Sequence, residues 1–158
     1  MSKYDEISES CKSTINQIRN YQDDCNNFAE KLISGLTDYY EIPDGKLKIL
    51  PYEGEPEENY RYYIEHEMHL EDDTFYHFNF VIEFVGRSRF HFMLKKEDDC
   101  FIVKGHEGHS GHKINPDVEK DFTDFYDFLF DEIKEHHENG FTNWLKGEKS
   151  KFGRIGFQ

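Results

Sequence analysis

Apolar and small residues recur every three or four positions from Lys3 to Leu36, at Tyr4, Ile7, Cys11, Ile15, Ile18, Tyr21, Cys25, Phe28, Leu32 and Leu36. That period predicts an amphipathic helix. Ser2 or Asp5 is placed to cap its start, and Gly35 falls where it would end. A helix of that span is roughly 45–50 Å long, more than a small domain covers. It is therefore expected either to kink near the polar run Asn20–Asn27 or to overhang and pair with a second copy as a homodimer. Positions 4, 7, 11, 18, 21, 25, 28 and 32 fit a heptad seam of that kind. Packing on the chain's own sheet is the simpler expectation.

From Lys46 the period shortens to two. Lys46–Tyr52 reads as a short strand and Glu53–Asn59 as an acidic loop. Tyr60–Leu70 alternates, with Tyr62, Ile64, His66 and Met68 on one face and Arg61, Tyr63, Glu65, Glu67 and His69 on the other. Thr74–Val85 and Arg87–Lys95 alternate likewise, and Cys100–Lys104 closes the series. Turns at Glu71-Asp72-Asp73, Gly86 and Glu97-Asp98-Asp99 join them, so the spacing predicts a five-stranded antiparallel meander. One face is dry, with Tyr62, Ile64, Met68, Phe78, Phe80, Ile82, Phe84, Phe90, Phe92 and Leu94. A register that sets Met68 beside Tyr76 would put Glu67 opposite His77, Glu65 opposite Asn79 and Arg61 opposite Glu83.

Gly105–Lys113 reads as a loop, and Asn115-Pro116-Asp117 as the start of a second helix, with Asn as its cap. Val118, Phe122, Phe125, Tyr126, Leu129, Phe130 and Ile133 carry the helical period, Gly140 ends it, and Phe141, Trp144 and Leu145 suggest one more turn. The stretch from 146 to 158 is locally basic, through Lys146, Lys149, Lys151 and Arg154. No repeat or internal boundary divides the chain. The fold expected is α+β over one domain, residues 1–158: long N-terminal helix, antiparallel meander, C-terminal helix on one sheet face.

Composition adds that a sizeable core is affordable. Only 36% of the 158 residues are hydrophobic, but 15 Phe and 10 Tyr each bring a large apolar surface. The formal net charge is −14, which repels phosphate backbones and anionic lipid, so nucleic acid and membrane are disfavoured as partners and a basic protein is favoured. Cys11, Cys25 and Cys100 form no CxxC and are odd in number; they read as small core residues of a reducing, cytoplasmic compartment. The first residues are polar and no run approaches a membrane span.

Candidate chemistry is sparse. His106, His109 and His112 sit in a glycine-rich loop and could converge on one zinc ion, the only cofactor the sequence suggests; a loop of exposed histidines explains the same residues. The wet sheet face collects Tyr63, Glu65, Glu67, His77, Glu83, Arg89 and His91, which suits a binding surface or a minimal acid–base pair without a nucleophile. Glu71, Asp72 and Asp73 should share one sheet end with Glu97, Asp98 and Asp99, without the spacing of a calcium loop. The His66-Glu67-Met68-His69 run lacks the zincin spacing. The expectation is an acidic binding protein, inhibitor-, immunity- or chaperone-like, that neutralises or escorts a basic partner. The alternative is a metal-dependent or acid–base enzyme built on the histidine loop or the polar face.

Overall fold

The computed structural model describes residues 1–105 and 111–146, apart from the side chains at 143 and 144. Helix α1 spans Lys3–Tyr39 without a break. Short strand β1 (Leu47–Ile49) follows, then one helical turn α2 (Ile64–Glu67) and a two-residue strand β2 (His69–Leu70). Strands β3 (Tyr76–Glu83), β4 (Arg87–Glu97), β5 (Cys100–Lys104) and β6 (His112–Ile114) lead to helix α3 (Glu119–Glu138) and a last short helix α4 (Gly140–Lys146).

The sheet is antiparallel, in the order β1-β3-β4-β5-β6, with β2 also on β3. The architecture is α+β, as the alternation predicts. Tyr76 faces Leu94, Phe78 faces Phe92 and Phe80 faces Phe90 across the β3–β4 ladder. That register collects the rings on one side, where Phe80 and Phe90 stack at 5.0 Å. The second half of α1 and all of α3 lie on this face. Phe28 stacks on Phe101 at 4.0 Å, and Cys25, Leu32, Leu36, Phe125 and Leu129 are buried with the sheet residues. Phe28 meets Phe122, Tyr39 meets Tyr126 and Tyr40 meets Phe130, so α1 and α3 run in the same direction.

Three parts depart from the expected pattern. Tyr60–Leu70 is not one continuous strand; only His69–Leu70 pairs with the sheet, and Ile64–Glu67 makes a helical turn. Ile64 and Met68 are both buried and four residues apart, a spacing that satisfies a helical turn as well as an alternating strand; the Met68 amide donates to the Ile64 carbonyl at 2.9 Å. The edge of β3 is instead shared by two short strands: β1 pairs Leu47 with Ile82, and β2 pairs His69 with His77. The pairings of Glu67 with His77, Glu65 with Asn79 and Arg61 with Glu83 therefore do not form. A further strand, β6, appears where a loop was expected, pairing Ile114 with Phe101.

The third departure is burial. Of the cysteines only Cys25 is buried; Cys11 is exposed and Cys100 half-buried. Gly35 lies inside α1 rather than at its end, where the Tyr126 hydroxyl crosses it and donates to the Leu32 carbonyl at 2.9 Å. Asn115 does not cap α3; its side-chain oxygen accepts from the Asp117 amide at 3.0 Å in a turn before the helix. Phe84, expected in the dry face, lies past the ladder's end and is half exposed, and Tyr62 is only half-buried. Among the described residues no helix is long and apolar enough to cross a membrane.

Candidate functional site

The polar face of the sheet gathers three of the residues the sequence singles out. His77 and Asn79 on β3 and His91 on β4 point to the same side, because Asn79 faces His91 in the ladder and His77 lies two pairs away. Asp73, in the turn before β3, is held by accepting the Phe75 amide at 2.9 Å. Its other oxygen contacts His77 Nε2 at 2.8 Å, His77 Nδ1 contacts His91 Nε2 at 2.9 Å, and His91 Nδ1 contacts Asn79 Oδ1 at 2.7 Å. The Asp73 carboxylate can only accept, so His77 Nε2 donates to it, and the two rings share a proton in the contact between them.

Burial lowers the His91 pKa, and the His77 charge adds to that, while Asp73 acts the other way. Burial alone would raise the Asp73 carboxyl; the Phe75 amide, His77 and Lys104 outweigh it and hold it below its ordinary value. All four ring nitrogens are occupied within this chain of contacts. A cleft of about 280 Å³ opens beside it, between Asn79, Arg89 and His91 and the segment Leu50–Gly54. Neither imidazole can act on a molecule in that cleft without first releasing a protein partner.

The remaining singled-out residues go elsewhere. Glu67 accepts the Tyr52 amide at 2.8 Å and pins the loop over the sheet. Glu83 gathers Lys48 at 3.2 Å, Lys46 at 3.5 Å and Arg87 at 3.7 Å, and its hydrogen bond from Lys48 lowers its pKa. Arg89 reaches Glu55 at 3.7 Å. Tyr63 and Glu65 are exposed around α2, with Arg61 over the Tyr63 ring at 5.2 Å. The turns holding Glu71, Asp72 and Asp73 and holding Glu97, Asp98 and Asp99 do lie at one end of the sheet, since Tyr76 faces Leu94. Of the three histidines considered for zinc, His112 sits in β6 with its ring 4.3 Å from Phe128 and 5.3 Å from Phe125; His106 and His109 lie outside the described residues. Among the described residues no group of three metal-binding side chains converges.

A second concavity, not anticipated from the sequence, opens at the opposite end of the sheet. It measures about 550 Å³ and is lined by Tyr39, Tyr40, Glu41, Phe84, Asp127, Phe130, Ile133 and Lys134. Tyr39, Phe84 and Phe130 are 45%, 48% and 50% exposed, so the rings are presented rather than packed away. The Tyr40 hydroxyl donates to the Tyr126 carbonyl at 2.6 Å and its ring meets Phe130 edge-on, which fixes the floor. The Tyr39 hydroxyl donates to Asp127 and holds that wall; the same bond raises the tyrosine's pKa. Carboxylates line the groove at Glu41 and Asp127, against one lysine, Lys134. The signal available in the sequence was Phe84-Val85 beside Gly86, an apolar pair on a hairpin tip that no sheet face can cover.

Among the described residues, an α+β protein with a paved aromatic groove and a self-satisfied polar network is the class the structure defines. No protein family, curated protein or solved structure matches the chain.

Proposed function

We propose that this chain is a binding protein for a basic protein or peptide, and that the groove between α1, α3 and the β3–β4 hairpin receives it. The observation that carries the reading is the groove's composition: half-exposed rings at the centre, carboxylates at the rim. Aromatic residues in a concave centre are the usual anchors of protein interfaces, and a polar rim sets the partner's charge. Arginine and lysine suit such a lining twice over, through the ring faces and through the carboxylates. The net charge of −14 extends the same preference over long range. An inhibitor-, immunity- or chaperone-like role follows from that chemistry as a class of function.

Selection of a random peptide display library on the intact chain tests it. Enriched sequences should be rich in Arg and Lys with an apolar anchor, and their affinity should fall as salt rises. Phe130→Ala or Tyr39→Ala should weaken the selected peptides by about tenfold or more. Enrichment of acidic or neutral sequences, or binding indifferent to both substitutions, would sink the proposal. Acid–base catalysis on the polar face is the second reading, favoured by the Asp73–His77–His91 chain and opposed by the occupancy of every ring nitrogen in it. Hydrolysis of a panel of activated esters that disappears in His91→Gln would promote it.

A further inference from the structure

Between Lys3 and Asn20 no residue of α1 is buried, although the helix is continuous there. The sheet ends beside Tyr21, whose hydroxyl meets the Lys96 backbone at 3.2 Å, and beside Asp24, which pairs with Lys96 Nζ at 2.6 Å. About 27 Å of helix therefore projects past the body of the molecule. An isolated helix of this length is marginal in water, and Ser8, Ser10, Ser13, Thr14, Asn16 and Asn20 make this one poorer than average. It carries an apolar stripe all the same: Tyr4, Ile7, Ile15 and Ile18 are 78%, 64%, 47% and 53% exposed, with Cys11 exposed at the middle.

We infer that the projecting half of α1 pairs with the same half of a second copy, antiparallel, in a dimer independent of whatever the groove holds. Three features of the segment specify a copy of itself. The stripe at 4, 7, 11, 15 and 18 has spacings of 3, 4, 4 and 3, so it reads the same in both directions about Cys11. A two-fold interface needs that property, because every contact must recur with its members exchanged. Reversal sets Tyr4 by Ile18 and Ile7 by Ile15. The stripe is also narrow, flanked by Ser8, Ser10, Thr14 and Gln17, which is the width of a helix–helix seam rather than of a face laid on a sheet.

Charge points the same way. Lys3, Lys12 and Arg19 balance Asp5, Glu6 and Glu9, so this segment is neutral within a chain of net charge −14 and can approach its twin without the repulsion the body would impose. Its first half, through Cys11, carries Lys3 against Asp5, Glu6 and Glu9; its second half carries Lys12 and Arg19 alone. Antiparallel pairing lays the negative half of one copy along the positive half of the other, and parallel pairing does not. Covering the stripe on both copies removes on the order of 1,000 Å² from water. That is the small end of specific interfaces and sets a reversible dimer, with a dissociation constant on the order of 10 µM.

Sedimentation of the full chain over a dilution series tests it. The mass should rise from monomer to dimer with a midpoint on the order of 10 µM, and Ile7→Asp or Ile18→Asp should move that midpoint up by about tenfold or more while the near-ultraviolet spectrum of the body stays unchanged. A monomer at every concentration, or a dimer indifferent to both substitutions, overturns the inference. Orientation is read with a short bismaleimide, which adds one thiol across each of its double bonds and releases nothing. In a Cys100→Ser background the wild-type Cys11 should give a linked dimer that Cys11→Ser abolishes. Chains carrying Tyr4→Cys and Ile18→Cys, each without Cys11 and Cys100, should link to one another when mixed. Links of position 4 to 4 and 18 to 18 instead would overturn the antiparallel arrangement.

Discussion

Between Lys3 and Asn20, α1 turns an apolar side chain to solvent every third or fourth residue; between Cys25 and Leu36 the same spacing buries Cys25, Phe28, Ala29, Leu32, Ile33 and Leu36. Period alone does not separate the two halves. Width does. The buried half has adjacent stripes, Cys25–Phe28–Leu32 and Ala29–Ile33–Leu36, that together cover a broad arc, as a helix lying on a sheet and beside α3 requires. The projecting half has a single file with serine and threonine at its sides. A periodic segment thus announces that a face will be covered, and the breadth of the file says by what kind of surface.

The widest contrast is expected from truncation on either side of Tyr21. Leu32→Ala removes a side chain with no exposure from the core and should cost about 2–5 kcal/mol in urea unfolding. Ile15→Ala, on an exposed position of the same stripe, should cost about 0.5 kcal/mol or less when the chain is dilute. Equal costs would mean that the projecting half packs against the body after all.

A smaller effect sharpens the anchored half. Alanine normally stabilises a helix over glycine by about 0.5–1 kcal/mol. At Gly35 the added Cβ would strike the Tyr126 hydroxyl, which also donates to the Leu32 carbonyl. Gly35→Ala should therefore destabilise, by about 1–3 kcal/mol. Tyr126→Phe alone should cost about 1 kcal/mol for the lost hydrogen bond. In the double variant the clash with the oxygen is gone, so the two losses should fall short of additive; strict additivity in a double-mutant cycle would show that Gly35 is not where α1 and α3 touch most closely.

Much of this body was legible in the sequence. Strands β3 and β4 alternate strictly and their rings fix the register, since a slip of one residue would put Phe78, Phe80, Phe90 and Phe92 into water. The segment 60–70 was not legible because Ile64 and Met68 satisfy both periods, and local hydrogen bonding chose between them. The acidic turns share one sheet end because they flank the antiparallel β3–β4 pair, which strand count alone decides. The groove was hidden for a different reason. Phe84 and Phe130 continue the patterns of β3 and α3 past the point where the opposite layer runs out, and where a layer ends is a tertiary fact. The Asp73–His77–His91 chain was half visible: the histidines fall on one face, but Asp73 joins them only through its turn.

Acidification should separate the halves again, more gently. Two histidines whose pKa burial lowers belong to the body: His91, lowered further by His77, and His137, lowered further by His136; the segment 3–20 holds no histidine. Above the ordinary histidine pKa of about 6.5 both are neutral whether folded or not, and their contribution to stability is complete. As pH falls below that value the unfolded chain takes up protons that the folded chain refuses, so stability declines until the lowered folded pKa is reached. The urea midpoint should drop between about pH 7 and pH 5, and His91→Gln should flatten part of that drop. A midpoint independent of pH would show that His91 is charged in the folded protein.

The least effect is expected at the helix start. The Ser2 hydroxyl accepts the Asp5 amide at 3.1 Å, and the Ser2 amide donates back to the Asp5 carboxylate at 3.0 Å, a reciprocal cap that lowers the Asp5 pKa. In a helix anchored along its whole length, losing such a cap weakens the whole protein. Here the cap stands about 34 Å along the helix from Cys25, the first buried residue of α1, at the far end of a segment that shares no burial with the core. Ser2→Ala should therefore lower the helical signal at 222 nm by unwinding the first turns, and leave the urea midpoint of the body where it was. In the dimer the same fraying would strip Tyr4 from its place beside Ile18 of the twin, so the substitution should also shift the association midpoint modestly upward. A change in the body's own stability on replacing Ser2 would mean that the two halves of α1 fold as one unit, and the distinction drawn between them would not hold.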